Sequence, residues 1–367
     1  MGQVKMVTGS YANQPDVIAE GMRLLNRGFE EARHLDDPET YWFISSTWLI
    51  YSSPVKYALE RQQLVDEMLD RSRAGASVMT AGVSIAFVVH VLLESGQRQR
   101  AEKLFIELKE LAERSGQIHL LAVSLALEGV FATIDGRLEE AVDISQRVRT
   151  FCEEIGMEIY GIVVGGIAGS RALFFLGKAD EALAFMAPIG MEKLPLSAAF
   201  HANCGRYAEA SALLDQYLAV WGSIDPEQCT GIPTTNHVTM LEAAIMTEHR
   251  PAAEWLQNFF ARYSVPTTGI YYITCIPCQL GGAAAFLGRY DEARKYYQEA
   301  IKVCTEMTFR PELALSKLQF AELLLEHYPD EKKEALEHLD FAIKEFREMK
   351  MQPSLERALR HKDILKA

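Results

Sequence analysis

The chain has few cysteines and no excess of basic residues. Six cysteines are spread over 367 residues, at Cys152, Cys204, Cys229, Cys275, Cys278 and Cys304. This spacing is too sparse for a disulfide framework and indicates a reducing, cytoplasmic setting. The 37 basic residues are outnumbered by 50 acidic ones, giving a net charge of −13. Such a charge argues against binding nucleic acid phosphates or anionic membranes, so we expect neither partner.

The chain also lacks the motifs of common catalytic sites. It contains no Gly-x-x-x-x-Gly-Lys-[Ser/Thr] phosphate loop and no His-Glu-x-x-His pair, and its nine histidines are dispersed. The glycines at positions 161, 165, 166 and 169 lack the preceding strand that dinucleotide binding requires, so they favour close packing of helices. We therefore expect no enzymatic activity, no cofactor and no metal site.

Cys275-Ile-Pro-Cys278 is the sharpest local signal for redox or metal chemistry. Thiol–disulfide exchange enzymes place such a pair after a strand of an α/β fold, which this sequence does not offer. Zinc normally takes four ligands, and no second cysteine pair or close histidine pair accompanies this one. We expect two free thiols that pack structurally.

Long apolar runs are few. Residues 1–8 contain no apolar core of the kind a signal peptide needs. The runs Ala76–Leu93 and Ile159–Leu176 are near the lower length limit for a membrane span. Both fall where the internal repeat described next requires a buried helix, so we interpret them as core helices.

A repeat with a period of roughly 40 residues extends along most of the chain. Its clearest copy is Leu287–Ile301, in which small or apolar residues follow the anchor Gly288 at fixed spacing. Weaker copies begin at Gly96, Gly136, Gly177 and Gly205. The alanine five residues after each anchor, glycine or not, recurs along the chain at Ala101, Ala141, Ala182, Ala210, Ala253, Ala293 and Ala335. This pattern predicts an all-α, right-handed solenoid of helix pairs, with each glycine in the turn between two helices.

The repeat divides the chain into three parts. We expect N-terminal capping helices over 1–75, repeats over 76–352 and a C-terminal capping helix over 353–367. The pattern lapses at Met191–Ser197, Gly222–Thr235 and Ser264–Gly269, which are interrupted by Pro, Gly or Thr and are predicted to be loops.

Two resemblances follow from these residues. The stretch from Gly288 to Ala300 resembles the second half of a tetratricopeptide repeat, and Leu280-Gly281 resembles the first half. Three segments, Leu287–Arg294, Met307–Leu324 and Met349–Ala358, are similar to the C-terminal helical region of bacterial STAND-type signalling ATPases, which often carry a cyclase or LuxR-type domain. The sequence contains no such domain, so the resemblance implies the regulatory or scaffolding part alone.

The tetratricopeptide frame implies a concave groove lined by first helices of the repeats. Its predicted lining includes His90, Val130, Arg171, Phe174, Glu242, Cys275 and Cys278. We expect His90 and Arg171 to be partly accessible there, and a protein or peptide segment to bind. Two alternatives stay open. The groove could accept a small, for instance anionic, ligand, or tighter stacking could bury these positions altogether. Oligomeric state is not predicted.

Overall fold

The computed structural model describes residues 14–52, 56–224, 234–260 and 265–364, together with residues 1 and 5. Eighteen α-helices account for most of this part of the chain, and no strand occurs in it. The helices are α1 (Pro15–Arg33), α2 (Pro38–Tyr51), α3 (Ala58–Asp70), α4 (Val78–Glu94), α5 (Arg98–Ser115), α6 (Ile118–Ile134), α7 (Leu138–Glu154), α8 (Glu158–Phe175), α9 (Ala179–Met186), α10 (Ala198–Asn203), α11 (Tyr207–Trp221), α12 (Thr234–Met246), α13 (Arg250–Phe260), α14 (Ile276–Phe286), α15 (Tyr290–Glu306), α16 (Arg310–His327), α17 (Lys332–Glu348) and α18 (Gln352–Ile364).

The helices form consecutive antiparallel pairs, which confirms the predicted all-α solenoid. The first helices of the early pairs begin at residues 78, 118, 158 and 198, so the 40-residue period is regular there. The five predicted glycine anchors lie in the turns between paired helices with positive φ, namely 77° for Gly96, 79° for Gly136, 75° for Gly177, 73° for Gly205 and 80° for Gly288. This left-handed conformation costs glycine little, which is why the turns contain it.

The recurring alanines make close packing of the pairs possible. All seven are at most 1% exposed and lie on second helices of the pairs, as the repeat pattern predicts. Glycines on the first helices reduce the spacing further. A Cβ at Gly129 would lie 2.7 Å from the Ala168 Cβ, and one at Gly169 would lie 2.6 Å from the Ser145 Cβ. Small side chains at these contacts therefore let α6, α7 and α8 stack.

The three predicted loops differ from one another in the part of the chain that the structure describes. Met191–Ser197 contains two short 3-10 helices. In the predicted loop Gly222–Thr235, residues 225–233 lie outside the described residues. Its last two residues are helical, because α12 begins at Thr234. The described part of the third loop continues as an irregular segment to Cys275, and most of it is buried. We call residues 265–275 the inserted segment.

The repeat array coils back on itself. Arg98 donates hydrogen bonds to the backbone carbonyls of Met307 and Thr308, at 2.9 and 3.1 Å, although these residues are more than 200 positions away in sequence. One repeat further along the chain, Lys350 donates to the Glu139 carboxylate at 2.6 Å. Helix α16 also packs on α6, and α18 packs on α8. The array therefore curves far enough for its late repeats to contact its early ones.

One helix among the described residues, α8, is long and apolar enough to cross a bilayer by length and composition. It packs between α6, α7, α9 and α18, and 56% of the helix is buried inside the protein. Burial in the core accounts for its apolar composition.

Two glycines of α8 provide a matched test of this packing. Replacing Gly169 with Ala places the new methyl group against Ser145, whereas a Cβ at Gly166 would meet nothing within 4 Å. Both changes improve helix propensity equally, by roughly 0.5–1 kcal/mol. We expect Gly169→Ala to be about 1–3 kcal/mol less stable than Gly166→Ala, because only the former overpacks an interface. Urea unfolding of the two variants measures the difference, and equal stabilities would contradict the packing described.

Candidate functional site

The inserted segment occupies the interior of the superhelix. It is anchored to the C-terminal end of α4, since the Thr267 amide donates to the Glu94 carbonyl at 3.1 Å and the Thr267 hydroxyl donates to the Leu93 carbonyl at 2.9 Å. The Ile270 amide donates to Nδ1 of His90 at 3.0 Å. Gly269, with φ of 70°, lies so close to His90 that a Cβ there would overlap the imidazole ring. The chain thus binds one of its own irregular segments on the concave face.

A buried ion-pair network fixes the same segment to three helices. Arg171 of α8 donates to Glu242 of α12 at 2.9 Å and to Glu312 of α16 at 2.8 Å. It also donates to the Tyr272 hydroxyl at 2.8 Å and to the Thr274 hydroxyl at 3.1 Å. The Arg171 side chain is 5% exposed and that of Glu312 is 0% exposed. We call these five residues the Arg171 network.

All three guanidinium nitrogens of Arg171 donate hydrogen bonds within the network. Tyr272 donates to Glu242 at 3.0 Å, Thr274 donates to Glu312 at 2.7 Å, and both bonds hold the carboxylates in place for the guanidinium. The Arg171 guanidinium also lies over the rings of Phe175 and Tyr272, at 4.7 and 4.9 Å from their centroids. Its charge is compensated inside the protein and is not left for a ligand.

Beside the inserted segment lies a cavity of about 430 Å³. This volume falls within the usual range of small-molecule sites, roughly 300–1,000 Å³. Its apolar wall comes from α2, α8, α9, α10 and the segment that joins α9 to α10, and consists chiefly of Ile50, Ile162, Val163, Ile167, Phe185, Met186, Ile189, Met191, Leu196 and Phe200. Val163 is 41% exposed, so the cavity reaches the surface beside it. We call this space the internal cavity.

Polar groups gather at other parts of the cavity wall. Arg61 forms a buried ion pair with Glu94 and donates to the backbone carbonyls of Leu49 and Ser52. Burial raises the pKa of Glu94, and the neighbouring Arg61 opposes that rise. Burial lowers the pKa of His90 to about 3, and the charge of Arg61 adds to this effect. The imidazole is therefore neutral at physiological pH.

The structure corrects the predicted accessibility of the groove residues. His90 and Arg171 are each 5% exposed, and Val130, Phe174, Cys275 and Cys278 are buried as well. The physical reason is the tight coil of the superhelix, which brings the inserted segment and the C-terminal repeats against these positions. These six positions are buried, as the alternative of tighter stacking predicted, whereas 14% of the Glu242 side chain is exposed.

The structure nevertheless brings several predicted residues together. Arg171 and Glu242 bind each other, and Phe174 packs edge-on against Tyr272 with ring centroids 5.5 Å apart. His90 lines the internal cavity, as does Ile167. Val130 lies apart from this group, within the hydrophobic core.

Cys275 and Cys278 are free thiols in the structure. Helix α14 begins at Ile276, so Cys275 immediately precedes it and Cys278 lies in its first turn. Burial raises the pKa of both thiols well above the usual value. A reactive cysteine needs the thiolate, so this environment disfavours exchange chemistry. No group of three or more metal-ligating side chains is assembled in the described ranges.

Four important residues escaped the sequence analysis: Arg61, Glu94, Tyr272 and Glu312. One signal could have identified the inserted segment. From Val265 to Gln279 the sequence contains no charged residue and is rich in threonine, tyrosine and isoleucine. Surface loops are usually polar, so an uncharged, aromatic loop indicates burial.

Comparison with known proteins identifies one repeat. The tetratricopeptide repeat family matches residues 278–307, which correspond to the α14/α15 pair. No curated protein matches this chain. Among solved structures, the chain is similar to one in the crystal structure of the APC/C hetero-tetramer Cut9-Hcn1, with 14% identity and a TM-score of 0.43. That alignment covers 98% of this chain and 74% of the other.

The Arg171 network predicts a large stability difference between two arginine variants. Arg171→Ala leaves the buried Glu312 carboxylate without its cation, which costs about 3–5 kcal/mol. Arg100→Ala removes a comparable 2.7 Å ion pair with Asp66, but both side chains are exposed there, so the loss is about 0–1 kcal/mol. Chemical denaturation of both variants measures the contrast. A loss for Arg171→Ala no greater than for Arg100→Ala would show that the network does not hold the fold together.

Proposed function

We propose that this chain is a ligand-sensing regulatory module that binds a small molecule in its internal cavity. One observation carries the proposal. The concave face, where a repeat scaffold would offer an open groove, is filled by the inserted segment, and what remains beside that segment is a cavity of ligand size. Its wall is mainly apolar with a few polar groups, which is the usual composition of a small-molecule site.

The position of the cavity provides a route from binding to response. Its wall combines residues of α4 and α8 with residues of α12 and of the inserted segment, which the Arg171 network ties to α16. A ligand that contacts all of these elements favours one arrangement of the early repeats relative to the late ones. The response would be a change in superhelical curvature, read by whatever part of the signalling system contacts the repeats.

The regulatory setting rests on the sequence resemblance described above. The segments in the C-terminal third that resemble STAND-type signalling ATPases support a role beside an ATPase, cyclase or transcription regulator in the cytoplasm. In that setting the repeats would bind the small molecule, and the partner would carry out the enzymatic or transcriptional response.

A protein segment as the bound partner is the second candidate. It is favoured by the helical-repeat scaffold, with its tetratricopeptide repeat at 278–307, and by the hydrogen bonds that backbone carbonyls of the concave face accept from a segment of this same chain. Such a partner would have to displace residues 265–275 or bind elsewhere on the repeats. A purified partner that binds Gly166→Leu as well as the wild-type chain would favour this candidate.

The experiment uses Gly166, which lines the cavity and where an added Cβ would meet nothing within 4 Å. The probe is prodan, an uncharged naphthalene fluorophore whose emission reports an apolar environment. We expect saturable binding to the wild-type chain and a loss of at least about tenfold in affinity, or 1.4 kcal/mol, in Gly166→Leu, because leucine occupies the cavity.

Gly28→Leu is the matched control. Gly28 lies in α1, does not line the cavity, and also has nothing within 4 Å of an added Cβ. Both substitutions replace a helical glycine by a better helix former, so neither should lower the melting temperature. Equal prodan affinity in the two variants would overturn the cavity as the binding site.

A further inference from the structure

The charges on the cavity wall are few and cancel each other. Apart from the neutral His90, the only residues of charged type that line the described part of the internal cavity are Arg61 and Glu94, and they form an ion pair with each other. Arg61 is 2% exposed and Glu94 is 4% exposed. Arg61 further donates to two backbone carbonyls and to the Ser52 hydroxyl. Neither residue offers an uncompensated charge to a ligand.

His90 contributes a neutral hydrogen-bonding group. Its Nδ1 accepts the Ile270 amide at 3.0 Å, so in the neutral ring the proton resides on Nε2. That nitrogen lies 3.5 Å from the Glu94 carboxylate. Protonation of Nδ1 would break the hydrogen bond from the Ile270 amide. This hydrogen bond therefore favours the uncharged ring and fixes its tautomer.

Two of the uncharged polar side chains in the wall lie at the start of one helix. Thr234 and Asn236 both line the cavity at the start of α12, and neither side chain makes a hydrogen bond with the described residues. Thr234 is buried, at 4% exposure, so its hydroxyl has little access to bulk water. By contrast, the Thr235 hydroxyl already donates to the Tyr271 carbonyl at 3.0 Å. A ligand could satisfy the hydroxyl and the amide with neutral groups.

From these observations we infer that the ligand is an uncharged, mainly apolar molecule carrying a hydrogen-bonding group such as an amide, ketone or hydroxyl. The inference rests on the proposed function and names the chemical class that the cavity accepts. A carboxylate or an ammonium would lose its hydration and find no free counter-charge in the wall, which is strongly unfavourable. The apolar part would lie against the isoleucine, methionine and phenylalanine side chains of the wall. This excludes the anionic ligand that the sequence analysis left open.

The test compares three ligands that share one alkyl chain and differ in charge: decanamide, decanoate and decylammonium. Each is titrated against prodan bound to the wild-type chain at neutral pH. We expect decanamide to displace prodan at a concentration at least about tenfold lower than either ion, a difference of 1.4 kcal/mol. Displacement by decanoate or decylammonium that equals or exceeds that by decanamide would overturn the inference.

A charge-changing variant makes the test sharper. Asn236→Asp places a carboxylate in the wall with almost no change in shape, so we expect the preference to shift toward decylammonium by at least about tenfold. Asn258→Asp introduces the same charge on an exposed position of α13 that does not line the cavity, and should leave the ranking unchanged. An unchanged ranking in Asn236→Asp would overturn the placement of the polar group.

The ligand class and the proposed function fail in different ways. If prodan binding is lost in Gly166→Leu but an ion is the best competitor, the cavity binds ligands and only the inferred class is wrong. If prodan binds Gly166→Leu as it binds the wild-type chain, the cavity is not the site, and both the proposed function and this inference are wrong.

Discussion

The structure depends on one buried arginine. Arg171 joins α8 to α12, to α16 and to the inserted segment, and its two carboxylate partners lie 71 and 141 residues away in sequence. Stacked repeats contact mainly their neighbours, so an array can stay open. Here a single cation, desolvated and surrounded by oxygen acceptors, holds distant repeats together. Removing the cation while the repeats stay closed would leave the buried Glu312 carboxylate uncompensated, so the closed arrangement depends on Arg171.

Closure changes what the concave face can do. In an open superhelix this face would be a groove for a partner, but here the chain supplies the inserted segment, whose backbone amides donate to α4 and to His90. The space left over is a cavity rather than a groove. Its wall is apolar, its one ion pair is internally compensated, and Gly166 contributes no side chain to it. The proposed small-molecule function follows from this geometry more directly than peptide binding does.

The sequence predicted the local structure well and the long-range structure poorly. The alanine at the fifth position after each anchor and the positive φ of Gly96 or Gly288 follow from contacts between neighbouring helices, which periodicity encodes. The burial of His90 and Arg171 follows instead from the small rotation between successive repeats, summed along the array. The spacing of residues in the sequence does not reveal this accumulated rotation. The pairing of Arg171 with Glu312 was therefore invisible, although the uncharged stretch after Val265 indicated that something there was buried.

The central claim is that the chain fills its own concave face, and hydrogen exchange tests it most directly. The amides of Thr267, Ile270 and Thr274 donate to Glu94, His90 and Thr268 inside the protein. Under native conditions, we predict that these three amides exchange as slowly as those in the middle of α4 and α8, because they open only when the superhelix opens. Exchange at the rate of an exposed loop would mean that the segment leaves the interior freely, and would contradict the account.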